Sequence, residues 1–237
     1  TFPKLRIIFL GRAYTRAVIT CCTHVDEFLE WNDARSDREI IEVFKSTKAD
    51  AFIHVFPKSR IAKLAKKARI QLRVGVSHRL YHFLYCNRLP GFTRKNSDLH
   101  EAQLNFKLLS SFKIHTIPPL LKIPEYYGWK AQGKSDTVNK LIDGKRLNIV
   151  LHPKSQGSAV EWGVENFESL VRILDKNKVK IFISGTAEEK KLMGKAFTFN
   201  EDVVDLRGKM DLPTFIAFIA EADGLVAAST GPLHIAA

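Results

Sequence analysis

Between Ala51 and Ser97 the chain carries no aspartate or glutamate. The same stretch holds Lys58, Arg60, Lys63, Lys66, Lys67, Arg69, Arg73, Arg79, Arg88, Arg94 and Lys95, so most of the formal net charge of +12 is concentrated there. A one-signed field of this kind draws polyanions: nucleic acid, anionic lipid headgroups or phosphorylated sugars. Charge alone does not choose among them. For Lys63, Lys66 and Lys67 a plain solvated helix face competes, because Ile61, Leu64, Ala65 and Ala68 recur at helical spacing.

Cysteine is also scarce. Cys21 and Cys22 are adjacent and Cys86 stands alone, which excludes both a disulfide framework and a paired C-x-x-C metal site. The expected setting is a reducing cytoplasm, with all three thiols as ordinary core or helix residues. No apolar run approaches the roughly 18 residues of a membrane span, and the N-terminus lacks a signal-peptide pattern. There is no low-complexity tract, no short internal repeat and no D-x-D carboxylate pair. What remains is a chain of 237 residues, 45% hydrophobic, able to bury a core as one large or two small domains.

The hydrophobic period alternates along that chain. Arg6–Leu10, Ala51–Val55 and Leu72–Val76 read as buried strands with helices between them. Residues 97–112 read as a further helix, with Ser97 or Asp98 as N-cap and Glu101 in capping-box position. A Pro-, Gly- and polar-rich stretch follows, and the boundary falls at residues 124–146. The expected division is therefore 1–123, a linker over 124–146, and 147–237. In the second part Leu147–His152, Lys180–Gly185, residues 203–206 and residues 224–228 read as strands, with helices over 165–176 and 212–222. Asp211 is the expected N-cap of the latter and Pro213 lies in its first turn. Such alternation predicts an α/β class with mainly parallel sheets and two Rossmann-like domains in tandem.

In open α/β sheets ligands sit at the carboxyl ends of the strands, which directs attention to four loops. The last, Ser229-Thr230-Gly231-Pro232 entering a helix, offers hydroxyls and free N–H groups at a positive dipole end, as a phosphate cradle or as a plain capped helix start. His234 is a second donor or a packed imidazole. His152, Lys154, Ser155, Gln156 and Ser158 surround Gly157 in a polar loop suited to phosphates or sugar hydroxyls, or in an ordinary loop anchored by Trp162. Glu188 and Glu189 offer a carboxylate to a ribose diol, or simply favour a helix N-terminus.

Taken together, "LHPKSQGSAVEWGVENF", "ISGTAEE" and "DLRGKMDLPTFIAFIAEADGLVAASTGPLHIAA" resemble the family 9 glycosyltransferases, the ADP-heptose:lipopolysaccharide heptosyltransferases and their relatives. "RVGVSHRLYHFLYCNRLPGFTRKNSDLHEAQLN" is similar to the family's N-terminal half, so the resemblance spans most of the chain. It implies a GT-B architecture, with the nucleotide sugar held by the C-terminal domain. It implies Thr230, Gly231 and Pro232 at the donor diphosphate with His234 nearby, and Ser229 where many members carry an aspartate that contacts the sugar. His152, Lys154, Ser155 and Ser158 would face the same phosphates, Glu189 the ribose, and Gly208, Lys209 and Met210 the base. The family often has a basic residue close to the tryptophan of the first loop. Here Val160 and Glu161 precede Trp162, so the phosphate's cation is expected from Lys154 or from elsewhere in the chain.

The family's first strand and its G-D turn, whose aspartate acts as base, have no counterpart here. By the resemblance the chain is expected to be a piece truncated at both ends and inactive alone, with the base upstream of Thr1. The implied reaction is inverting transfer of a heptose or related sugar from an ADP-sugar, without a cofactor or a metal. Negative charge on the leaving diphosphate is met by helix dipole, hydroxyls and cations. Arg94, Lys95 and His100 would receive an anionic glycolipid acceptor such as a lipopolysaccharide core, in peripheral contact with the inner membrane surface. A nucleotide-sugar-binding protein without transfer is the alternative. A nucleic-acid module is not expected, since recognition motifs and zinc spacing are missing although Tyr81, Phe83 and Tyr85 interleave with basic residues.

Overall fold

The β-branched runs of the sequence become short strands, and the segments between them become helices. The computed structural model describes residues 4–93, 95, 97–131, 136–155, 157, 160–227 and 231–237. In chain order the elements are β1 (Ile8–Gly11), α1 (Arg16–Ile19), β2 (Glu27–Glu30), α2 (Asp37–Ser46), β3 (Ala51–Ile53), α3 (Ser59–Lys67), β4 (Leu72–Val74), α4 (Leu80–Tyr85) and α5 (Glu101–Phe106). They continue as α6 (Asp136–Asn139), β5 (Leu147–His152), α7 (Val164–Ile173), β6 (Val179–Ile183), α8 (Ala187–Met193), β7 (Val203–Asp205), α9 (Leu212–Glu221), β8 (Gly224–Ala227) and α10 (Gly231–Ala236).

The chain forms two compact units, Thr1–Leu29 with Trp129–Ala237, and Glu30–Gly128. The sequence division at 1–123 and 147–237 does not follow this grouping. The N-terminal segment joins the later unit because α1 packs on α9, Cys22 bridges Trp129, and Lys130 N–H donates to the Cys21 carbonyl at 2.7 Å. The 124–146 stretch is not bare linker either. It contains α6, whose Val138 is buried in the core beside Val150 and Phe218.

In that unit β5–β8 form a parallel sheet of order β7-β6-β5-β8. Alternate strand residues face opposite sides. Leu151, Ile181 and Ile183 pack with Phe167, Val171 and Met193 from α7 and α8. Val150 and Phe182 face the other way, against Leu206 and against Ala217 and Phe218 of α9. Asp211 caps α9 as expected, accepting from Thr214 N–H at 2.9 Å, with Pro213 in the first turn where no N–H is needed.

In the other unit β3 and β4 pair in parallel. Helix α3 buries Ile61, Ala62, Leu64 and Ala65 and leaves Lys63, Lys66 and Lys67 exposed, which favours the solvated-face reading for Lys63 and Lys67, while the Lys66 ammonium donates to the Leu84 carbonyl at 2.7 Å. Arg60 is held instead, donating to Asp37 at 3.0 Å and to the carbonyls of Asp33 and Arg35. The helix expected over 97–112 starts later. His100 is its N-cap, and its own N–H donates to Gln103 Oε1 at 3.1 Å. After Phe106 the helix tightens into a 3-10 stretch over Lys107–Phe112. Strand β2 escaped the sequence reading because all four of its residues are half-buried and show no alternation. Among the described residues no helix is long and apolar enough to cross a membrane.

Phe218 is fully buried and meets the Phe182 ring edge-on at 4.9 Å. Phe218→Ala is expected to lower unfolding free energy by about 3–5 kcal/mol, read as a shift of the urea midpoint at unchanged slope. A loss below 1 kcal/mol would show that α9 does not anchor this face of the sheet.

Candidate functional site

The strand order decides where a ligand can sit. From β5 the chain moves outward through β6 to β7, then returns to the other edge of β5 to form β8. Connections leaving β5 and β8 therefore diverge at the carboxyl edge, which is the topological switch point where open α/β sheets bind ligands. The register places His152, the last residue of β5, beside Ala227, the last of β8.

His152 is buried at this edge, and its Nδ1 lies 2.9 Å from Ser184 Oγ at the end of β6. Its Nε2 is 3.8 Å from Glu189 Oε2. Burial pushes this imidazole below the usual histidine range, against the pull of the Glu189 carboxylate. The ring is thus neutral at pH 7. Glu189 itself is only 3% exposed. It closes a capping box on α8, with Oε2 accepting from Thr186 N–H at 2.6 Å and its own N–H donating to Thr186 Oγ1 at 3.1 Å. In this structure the Glu189 carboxylate, expected at a ribose diol, faces inward and serves the helix start.

Lys154 is likewise engaged. Its ammonium pairs with Glu161, whose Oε1 accepts from Ser155 N–H at 2.8 Å and from Ser155 Oγ at 3.1 Å. The Lys154 hydrogen bond, with the Ser155 bonds, holds the Glu161 carboxyl below its usual range despite some burial. The expected phosphate cation is therefore neutralised within its own loop in this state. Gly157 has φ +77°, a conformation that L side chains rarely adopt.

The β7 loop packs directly on the β6 loop. Gly208 N–H donates to the Gly185 carbonyl at 2.7 Å, and a Cβ on Gly208 would lie 3.2 Å from the Ala187 Cα, at φ +70°. This close approach carries exposed Lys209 and half-buried Met210 to the same edge. Beneath them Arg207 is buried, donating to Asp205 Oδ1 at 2.8 Å and lying 4.7 Å over the Phe199 ring. Burial opposes the charged Asp205, but hydrogen bonds from Arg207 and Lys190 prevail and hold its carboxyl at about 2.

After β8, Gly231 opens α10 with nothing among the described residues within 4 Å of a Cβ built on it. Pro232 is half-buried and His234 exposed. Ser158, Ser229 and Thr230 lie outside the described residues, as does Arg94. Lys95 and His100 belong to the other unit. Lys95 is exposed, whereas the His100 ring accepts from Ala102 N–H at 3.3 Å and so acts as a helix cap. Sequence reading missed Ser184 and the Asp205–Arg207 pair. The i,i+2 spacing of opposite charges at a strand end was the available signal for the pair; a serine closing an apolar strand was the weaker one for Ser184.

Two acid windows follow. A histidine held neutral by burial destabilises the fold as pH falls below its ordinary value of about 6.5, because the unfolded chain binds the proton first. The depressed Asp205 contributes stability above about 3.9 that is lost as pH falls towards 2. His152→Gln is expected to flatten the upper slope in part, since buried His54, pushed down to about 4, adds to it. Asp205→Asn is expected to flatten the lower one. Denaturant midpoints measured from pH 8 to 2 check both; unchanged slopes would refute the assignments.

Residues 37–237 match the family model described as glycosyltransferase family 9 (heptosyltransferase). A putative glycosyltransferase of Haemophilus influenzae is 28% identical over 247 residues, covering 98% of this chain and 70% of that protein. The structure of E. coli ADP-heptose lps heptosyltransferase II superposes with TM-score 0.74 at 16% identity, covering 99% of this chain and 73% of that one. E. coli heptosyltransferase WaaC with ADP gives 0.66 at 15% identity, covering 99% and 74%. At these identities the structural likeness is one of fold, the α/β GT-B class with mainly parallel sheets.

Proposed function

Because the chain belongs to glycosyltransferase family 9, we propose that it serves inverting transfer of a heptose or related sugar from an ADP-sugar to a lipopolysaccharide core or similar anionic glycolipid. The observation that carries the reading is the switch point between β5 and β8, where four polar loops meet at one sheet edge.

Donor binding is assigned to that edge. By the family motif Ser229, Thr230, Gly231 and Pro232 are assigned to the diphosphate together with the first N–H groups of α10 and His234, and Ser155 and Ser158 are assigned to the same phosphates. Lys154 leaves Glu161 for the phosphate when the donor enters, exchanging one charge-assisted bond for another. Gly208, Lys209 and Met210 border the base. His152 and Glu189 act from beneath as positioning residues, since both are buried and bonded to the loops they support. The growing negative charge on the leaving diphosphate is met by N–H dipoles and cations. A divalent ion is not required in this scheme, in keeping with the lack of a D-x-D pair. On the acceptor side Arg94 and Lys95 belong to the segment without acids, which suits an anionic glycolipid at the cytoplasmic membrane surface.

Titration calorimetry with ADP, ADP-heptose and a UDP-sugar tests the donor site. ADP and ADP-heptose are expected to bind and the UDP-sugar not, equally with and without EDTA. Gly231→Ala has open space for its methyl among the described residues, so it is expected to fold normally and lose donor affinity at least tenfold. Lys154→Ala should lose about 1.5–3 kcal/mol of binding, the worth of a hydrogen bond to a charged group. Unaltered affinity in both folded variants would remove the diphosphate from this edge. Binding without sugar transfer to any glycolipid would favour the nucleotide-sugar-binding alternative.

A further inference from the structure

In the unit Glu30–Gly128, well separated in sequence from the donor loops, three soft or borderline donors converge. His54 follows β3, His82 lies in α4, and Cys86 is the C-cap of α4 one turn later. Their ligand atoms all lie within 4.8 Å of one another, and His54 Nδ1 is 3.0 Å from His82 Nε2. Both histidines are buried and Cys86 is half-buried. We propose that His54, His82 and Cys86 form a binding site for one divalent cation of borderline softness, of the zinc class. This inference is independent of the donor-site reading.

The geometry and the donor set both point that way. In a tetrahedral zinc centre with bonds of about 2.0–2.3 Å, ligand atoms stand roughly 3.3–3.6 Å apart. The two imidazole nitrogens already face each other near that separation and share one proton. A cation that replaces the proton engages both lone pairs. His82 also has the outer contact that metal-bound histidines use. Its Nδ1 lies 2.9 Å from Val76 N and 3.0 Å from the Val76 carbonyl oxygen, so the Val76 backbone fixes the ring with Nε2 turned towards His54.

The backbone makes room for this cluster. A Cβ on Gly75 would come within 2.7 Å of the His82 ring and 2.8 Å of Cys86 Sγ, so only glycine allows these groups to lie against the end of β4. Cys86 is fixed from the chain side. Its N–H donates to the His82 carbonyl at 2.8 Å, and the next residue, Asn87, bonds Arg73 N–H at 2.8 Å and the Gln71 carbonyl at 2.7 Å. On the far side of the ring His54 Nε2 is buried without a partner among the described residues. No carboxylate belongs to the set, which excludes a calcium or magnesium site. Arg73 is close enough to act on the thiol and favours its ionised form, although burial holds the free thiol up at about 11. Binding therefore proceeds with release of the Cys86 proton, the cation taking its place on sulfur. The bound ion would tie the end of β3 to α4.

Cobalt(II) alone, titrated into chelator-treated full chain, reads the site directly. The expected result is saturation at one equivalent, with a thiolate-to-cobalt charge-transfer band in the near ultraviolet and intense visible bands of a tetrahedral centre. Cys86→Ser is expected to abolish the charge-transfer band. His54→Gln should weaken binding by at least the roughly 10–100-fold that losing a mere supporting contact costs. The double variant Cys21→Ser, Cys22→Ser is expected to keep the band and to give the answer should either cluster variant fail to fold. Wild-type protein without the band at saturating cobalt overturns the proposal. So does a band that survives Cys86→Ser or vanishes in the double variant, since either result assigns it to Cys21 or Cys22.

Discussion

Strand β5 is hydrogen-bonded in parallel on both of its edges, to β6 on one side and β8 on the other. Parallel neighbours need crossover connections, and those connections run as helices over both faces. From this follow the buried runs in β5 and β6, the two apolar layers on either side of the sheet, and the common direction in which strands β5–β8 deliver their loops. The carboxyl edge is polar because the apolar requirement ends where the strands end. Its opposite edge is fastened differently. There Asn148 is tied to Asp223, and Arg146 is held between Asp143 and Asp202, so the sheet is clamped away from the candidate site.

At the carboxyl edge the polar groups support one another in layers. His152, Ser184 and Glu189 are buried, and Arg207 is locked to Asp205. Buried polar groups need partners: His152 finds Ser184 and Glu189 finds Thr186, while Arg207 is bonded to Asp205 two residues before it and keeps its Nη1 without a partner among the described residues. The loops are thereby held to one another: Glu189 joins β5's last residue to the start of α8, and Gly208 joins the β7 turn to Gly185. Above this layer stand Gly157, Lys209 and Gly231, all exposed. The Lys154–Glu161 pair is intermediate between the layers. It satisfies both charges at rest, and a stronger anion entering the loop competes for the lysine with a half-buried carboxylate that keeps its bonds from Ser155.

Much of this was legible in sequence. Strands β5, β6, β7 and β8 and the α9 cap at Asp211 could be read because burial on both faces writes continuous apolar runs and because an aspartate before Leu-Pro has few other uses. The family motifs marked the loops. What sequence did not disclose were partnerships between residues distant in the chain. Glu189 looked available until Thr186 and His152 were seen around it. Lys154 looked free until Glu161 closed on it. The grouping of residues 4–29 with the later unit was hidden because it depends on α1 meeting α9, a contact with no local signal. The His54, His82 and Cys86 cluster was hidden for the same reason, since His54 stands 28 residues before its partner His82.

Hydrogen–deuterium exchange of the chain with and without ADP tests most directly whether the nucleotide sits at the β5–β8 switch point. The account predicts slower exchange in peptides covering 153–163 and 228–236, with smaller effects at 184–189 and 206–210. Protection confined to other segments, with those loops unchanged under saturating ADP, would contradict it.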